Sequence, residues 1–143
     1  MRVKAFIDAN VLVSVLNKEF PDYTYTARVL SLASDDRFEL FTSPLCLAIG
    51  FYFASKKSGE QKAKEKIAII NERLSIATIN QRAIQQAINN PAVHDLEDGF
   101  QYYAAKEAGC ECIVTANLDD YYFGELEVLD AEQFLMQKWR GSQ

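Results

Sequence analysis

The stretch Val3-Lys4-Ala5-Phe6-Ile7-Asp8-Ala9-Asn10 decides how this chain is read. Its mostly apolar first five residues are too few for a helix. They predict a buried parallel strand that stops abruptly at Asp8. Val11–Leu16 continues the apolar character beyond the polar step. Working outward, Tyr25–Ala33 predicts a helix, with Val29, Leu32 and Ala33 on one face. Phe38–Phe41 suggests a second strand. Ser43-Pro44 reads as a helix start, with Ser43 as cap and Pro44 in the first turn. Leu45–Lys57 then predicts a largely buried helix, and Gln61–Arg73 an amphipathic one with Ile67 and Ile70 inward. Leu74–Ile79 alternates like a strand. Gln81–Ile88 predicts a short helix closed by Asn89-Asn90-Pro91. Asp95–Ala108 predicts a helix ended by Gly109. Cys112–Val114 and Glu127–Leu129 predict the last strands, and Ala131–Trp139 a closing helix behind Asp130. Strands alternating with helices imply an α/β fold, a three-layer α/β/α sandwich with a mainly parallel central sheet. No repeat or linker divides it, so residues 1–140 are expected to form one domain and 141–143 a short tail.

Composition agrees. The chain has 143 residues, 49% of them hydrophobic and 24% charged, enough for one domain with a sizeable core. No apolar run approaches the roughly 20 residues that cross a bilayer, and Asp8 arrives too soon for a signal peptide. A soluble, cytoplasmic protein without membrane contact is expected. Three cysteines make no disulfide framework, and Cys46 and Cys112 read as small buried hydrophobes. The net charge of −5 argues against a non-specific nucleic-acid coat protein, which is normally basic. The charge is also segregated. Lys56, Lys57, Lys62, Lys64 and Lys66 cluster together, and could meet phosphates. The segment Asp95–Glu132 is rich in acids and holds Lys106 as its only base.

Several chemistries are excluded. The six glycines form no phosphate-binding loop, and one histidine with scattered cysteines makes no usual zinc site. A nucleophilic triad would need His94, which lies in a loop beside acids. Carboxylates remain. In an open α/β sheet functional groups gather at the carboxyl ends of strands, and two such ends are polar: Asp8-Ala9-Asn10 and Thr115-Ala116-Asn117. Asp95 and Asp98, at i and i+3, are expected on one side of a helix's first turn. Each group also has a plain structural reading: Asp8 and Asp95 as helix caps, Asn117-Leu118-Asp119-Asp120 as a turn. Together, acids converging from separate elements repel one another unless a cation sits among them. Hard oxygen ligands point to Mg²⁺ or Mn²⁺.

Three blocks carry a resemblance: Phe6-Ile7-Asp8-Ala9-Asn10-Val11-Leu12, Asp95-Leu96-Glu97-Asp98-Gly99-Phe100-Gln101, and Ile113-Val114-Thr115-Ala116-Asn117-Leu118-Asp119-Asp120-Tyr121. In this order and spacing the chain resembles the PIN domain, in particular the single-domain bacterial PIN proteins that include VapC-type toxins. The resemblance implies a Mg²⁺- or Mn²⁺-dependent endoribonuclease acting on single-stranded RNA, an antitoxin protein as partner, and a homodimer. Asp8 matches the first family acid and Asn10 the polar residue two places on. Asp98 matches the third acid, with Asp95 a frequent neighbour. Thr115 and Asn117 match the Thr-x-Asn/Asp element, and Asp120 the Asp of the Asn-x-x-Asp-Phe ending, here followed by Tyr121. The resemblance makes Asp8, Asp98, Asn117 and Asp120 the catalytic candidates. It makes Asp8, Asp95, Asp98 and Asn117 the metal ligands, and Asn10 and Thr115 the substrate contacts.

One element departs from the pattern. The family usually carries a Glu early in the helix after the second strand, whereas Ser43-Pro44-Leu45-Cys46-Leu47-Ala48-Ile49-Gly50-Phe51-Tyr52 has no acid. Ile49, or Ala48 in a shifted register, stands in its place and is expected to face the acids. Three readings follow: an active nuclease with an atypical site, a weak or inactive PIN domain that binds RNA or protein, or a phosphoryl-transfer enzyme of another α/β class, for which Asn10 stands where a second acid after Asp8 is wanted. The apolar helix also offers more apolar surface than one core contact needs.

Overall fold

A computed structural model describes residues 2–142; Gln143 of the expected tail lies outside the described residues. The strands are β1 (Val3–Ile7), β2 (Phe38–Thr42), β3 (Ser75–Ile76), β4 (Cys112–Val114) and β5 (Glu127–Leu129). The helices are α1 (Ala9–Leu16), α2 (Tyr23–Ser31), α3 (Pro44–Ser58), α4 (Glu60–Arg73), α5 (Gln81–Asn89), α6 (Leu96–Glu107) and the single turn α7 (Ala131–Phe134). All strand pairs are parallel, in the order β3-β2-β1-β4-β5. With right-handed crossovers, α1–α4 cover one face and α5 and α6 the other, giving the expected sandwich. Among the described residues no helix is long and apolar enough to cross a membrane.

The central strands are apolar because both their faces are covered. Ala5, Phe6 and Ile7 of β1 and Cys112, Ile113 and Val114 of β4 are fully buried. The three thiols are free and buried. Ser43 caps α3, accepting a hydrogen bond from Cys46 N–H at 3.1 Å, and its hydroxyl lies 2.5 Å from Gln101 Oε1. This ties the start of α3 to α6. Gly109, at φ +84°, follows the last residues of α6 in the left-handed conformation expected there.

Four expectations need correction. The strand predicted over Leu74–Ile79 is only Ser75–Ile76: Leu74 ends α4, and Asn80 already caps α5. The closing helix keeps one α turn before widening to a π turn over Leu135–Trp139. The helix expected to be largely buried, α3, buries only Cys46, Gly50 and Ala54, and leaves Tyr52 52% and Phe53 45% exposed. The lysine cluster is not a free phosphate patch. Lys57 and Lys66 donate to the carbonyls of Asn17 and Leu16 at the end of α1, where cations are favoured by unpaired carbonyls, and Lys64 pairs with Glu60 at 3.3 Å.

Candidate functional site

The chain builds the sheet outward from β1 through β2 to β3, then crosses back to place β4 on the other side of β1. The point where strand order reverses is where ligands bind in open parallel sheets. Ile7 pairs with Val114 there, so Asp8 and Thr115, the next residues of the two strands, become neighbours. Asp8 is 8% exposed and Thr115 fully buried.

The Asp8 carboxylate is held from both sides. Oδ1 accepts from Ala9 N–H at 2.7 Å, which also caps α1, and lies 3.9 Å from the Cys46 thiol. Oδ2 accepts from the hydroxyls of Thr115 at 3.0 Å and Tyr121 at 2.9 Å. The Thr115 oxygen in turn accepts from Asn10 Nδ2 at 3.0 Å and Asn117 N–H at 3.1 Å. Asn10 Oδ1 accepts from Ala116 N–H. The structure thus places Asn10 and Thr115 in the network that fixes Asp8.

The second source of acids is the start of α6. Asp95 has an extended backbone and accepts a hydrogen bond from Glu97 N–H at 2.9 Å as the helix cap. Asp95 is the cap and Asp98 the third residue of the helix, so the two stay near enough for the Asp95 charge to act on Asp98, but only Asp98 lines the cleft. Asp98 faces the strand ends and Asp95 remains exposed. Gly99 lets the start of α6 pack closely on α5 and the loop after it: a Cβ there would lie 2.8 Å from Val93 Cγ1 and 2.9 Å from Ala87 Cβ. The turn Leu118–Tyr121 brings up Asp120.

Asp8, Asp98, Asp120, Asn117, Glu97 and Asn10 line one open cleft of about 390 Å³, and Ile49 and Phe53 of α3 form an apolar wall on it. Ile49, not Ala48, faces the acids; Ala48 lines a groove against α4 with Leu47 and Ile67. Glu97 and Glu19 also line the cleft. Sequence reading passed over Glu97 in favour of its neighbour Asp95. For Glu19, just beyond α1, the sequence offered no signal.

The electrostatics follow from burial and crowding. No lysine or arginine lines the cleft, and among the described residues none donates a hydrogen bond to the Asp98 or Asp120 carboxylate. Burial, then the charges of Asp120, Asp95, Asp8 and Glu97, push the Asp98 carboxyl up to about 7. Burial raises Asp8 as well, opposed by its hydrogen bonds from Ala9, Tyr121 and Thr115. Burial and the Asp8 charge push the Cys46 thiol up to about 12, so it is a neutral neighbour rather than a nucleophile.

The donor chemistry fits a hard divalent cation: oxygen ligands, mutual repulsion and no basic counter-charge. Among the described residues, however, no three acidic, histidine or cysteine side chains gather into a ready-made metal cage. Such a site suits an ion that keeps much of its water, as Mg²⁺ does.

A parallel α/β sandwich with an acid-lined, cation-suited cleft at its switch point is the class that fold and site define. Residues 4–119 match the PIN domain family, and the chain belongs to it. It is 29% identical over 140 residues to Ribonuclease VapC1 of Aquifex aeolicus (strain VF5), covering 95% of each chain. Among solved structures it is similar to Mycobacterium tuberculosis VapC20, described as a sarcin-ricin loop cleaving toxin. That match has a TM-score of 0.68 and 14% identity, covering 87% of this chain and 98% of the other. It is also similar to a chain of a toxin-antitoxin complex from Klebsiella pneumoniae, with a TM-score of 0.68 and 17% identity, covering 89% and 97%. The structural likenesses speak to the fold.

Proposed function

We propose that this protein is a Mg²⁺- or Mn²⁺-dependent endoribonuclease that hydrolyses phosphodiester bonds in single-stranded RNA, and that it acts in the cytoplasm as the toxin of a toxin-antitoxin pair. The observation that carries the reading is the unpartnered Asp98–Asp120 pair at the switch point of a PIN fold. Similarity to a curated ribonuclease along nearly the whole chain supports it.

Asp98, Asp120 and Asn117 line the cleft and would hold the ion, with Asp8 behind them. Asp95 contributes by capping α6 and so fixing where Asp98 points. A bound Mg²⁺ or Mn²⁺ would supply positive charge at the phosphate and lower the pKa of water there. That suits hydrolysis in which water oxygen adds to phosphorus, the P–O3′ bond breaks and the 3′ oxygen takes a proton, giving a 5′-phosphate and a 3′-hydroxyl. Ile49 and Phe53 exclude water from one wall and give the ribose or base an apolar surface. Ile49 stands where the family's Glu is expected, so the site has one charge fewer and binds metal weakly.

The antitoxin fits as a chain that brings an arginine or lysine into the acidic cleft, since that charge is what the cleft lacks. A homodimer is the remaining expectation from the family likeness, and sedimentation of the Tyr52→Ser/Phe53→Ser double variant tests whether the exposed face of α3 carries it.

The experiment is cleavage of a fluorescent single-stranded RNA with Mn²⁺ or Mg²⁺, comparing the parent with Asp98→Asn. Metal-dependent cutting that falls by about 100-fold or more in the variant is the expected result. RNA binding without cutting at any metal concentration would favour the non-catalytic binding module, which the Ile49 wall and the buried, hydrogen-bonded Asp8 carboxylate also suit.

A further inference from the structure

The hydrogen bonds around Asp8 do more than hold it still. A carboxylate has about four acceptor positions. At Oδ1, one is taken by Ala9 N–H and another faces the Cys46 thiol. At Oδ2, both are taken by the hydroxyls of Thr115 and Tyr121. The directions of these bonds are fixed. Both lone pairs of the Thr115 oxygen already accept, from Asn10 and from the backbone of Asn117, so its single hydrogen goes to Asp8. Tyr121 is 2% exposed and Asp8 is its hydroxyl's acceptor. A cation approaching Oδ2 would have to displace one of these donors and leave a buried hydroxyl without a partner, which is costly. Asp98 and Asp120 carry no such donors.

We propose that Tyr121 is a positioning residue that takes Asp8 out of direct metal coordination. Its hydroxyl, with that of Thr115, makes Asp8 an internal anchor that joins β1, β4 and the Leu118–Tyr121 turn. The cation is left to Asp98, Asp120 and Asn117. The inference rests on the proposed metal-dependent function and adds to it which acids touch the ion. It also bears on why, among the described residues, no three acids gather into a cage although five acidic side chains line the cleft.

The test is Mn²⁺ titration by calorimetry of the full chain, with folding checked by thermal melting. Tyr121→Phe keeps the ring and frees one position on Oδ2. It should bind Mn²⁺ more tightly, by roughly tenfold or more if one charge-assisted hydrogen bond is the barrier. A loss of packing alone would not tighten binding. Asp8→Asn should weaken the parent's binding far less than Asp98→Asn does, yet abolish the gain when combined with Tyr121→Phe. Thr115→Val removes the other donor and carries the same expectation if Tyr121→Phe does not fold. Asp98-dependent binding in the parent, with no gain in either donor variant, would overturn the role of Tyr121 and leave the metal-dependent function standing. Absence of Mn²⁺ binding in the parent and in both donor variants would overturn both.

Discussion

The cleft has two halves built on opposite principles. On the strand side, Asp8 is buried and surrounded by donors from α1, β4 and the turn before β5. On the helix side, Asp98 and Asp120 face each other without a donor or a counter-charge among the described residues. Hydrogen bonds offset part of the desolvation of the first carboxylate, while the second pair keeps its repulsion. A carboxylate that has satisfied its acceptors serves the fold. Carboxylates left unsatisfied at a switch point are available to a ligand of opposite charge.

Stability separates the halves most strongly. Asp8→Ala leaves Ala9 N–H and two buried hydroxyls without an acceptor and should cost about 2–4 kcal/mol in urea unfolding. A loss below ~0.5 kcal/mol, the size of an ordinary surface change, would break the comparison.

Ile49→Glu comes next. It restores an acid on the wall facing Asp98, and should tighten Mn²⁺ binding about tenfold while lowering metal-free stability through added repulsion. A charged carboxylate–metal contact is worth at least the 1.4 kcal/mol that a factor of ten requires. Equal affinity in parent and variant would show that α3 does not present this position to the ion.

The smallest effect is the pH dependence of Asp98. Its folded-state pKa of about 7 lies above the ordinary 3.8, so between those values the folded chain binds more protons than the unfolded one. Its contribution to stability is therefore full below about pH 4 and is lost as pH rises through 7. Metal-free melts should show a downward slope from pH 5 to 8 that Asp98→Asn flattens. The variant should gain at most about 1 kcal/mol at pH 8 once solvent screening is allowed for. An unchanged slope would mean that Asp98 is not the strained acid of the cleft.

Much of this contrast was legible in the sequence. Phe6-Ile7-Asp8 and Ile113-Val114-Thr115 announce two buried strands that end in polar groups, and parallel pairing then fixes their ends together. Asp95 as the cap of α6 was readable too, whereas its absence from the cleft that Asp98 lines was not. In the sequence Tyr121 is only the residue that stands in the place of the family's Phe after Asp120. Its role depends on where its hydroxyl ends, and that follows from the fold of the whole loop: Gly124, whose Cβ would stand 2.1 Å from the Tyr102 ring, lets the chain close behind it. The length of α3 was readable, but not its exposure. Near-uniform apolarity marks no single face, and α3 packs against α1 and α4 through a narrow stripe of Cys46, Gly50 and Ala54.

The central claim is that the unpartnered acids are built to hold a divalent cation. Thermal melting of the parent and of Asp98→Asn across a Mn²⁺ titration tests it most directly, because a ligand that binds the folded state raises its melting temperature. The account predicts that millimolar Mn²⁺ raises the parent's melting temperature and that Asp98→Asn, more stable without metal, loses most of that rise. No shift in the parent, or the same shift in both proteins, would contradict it.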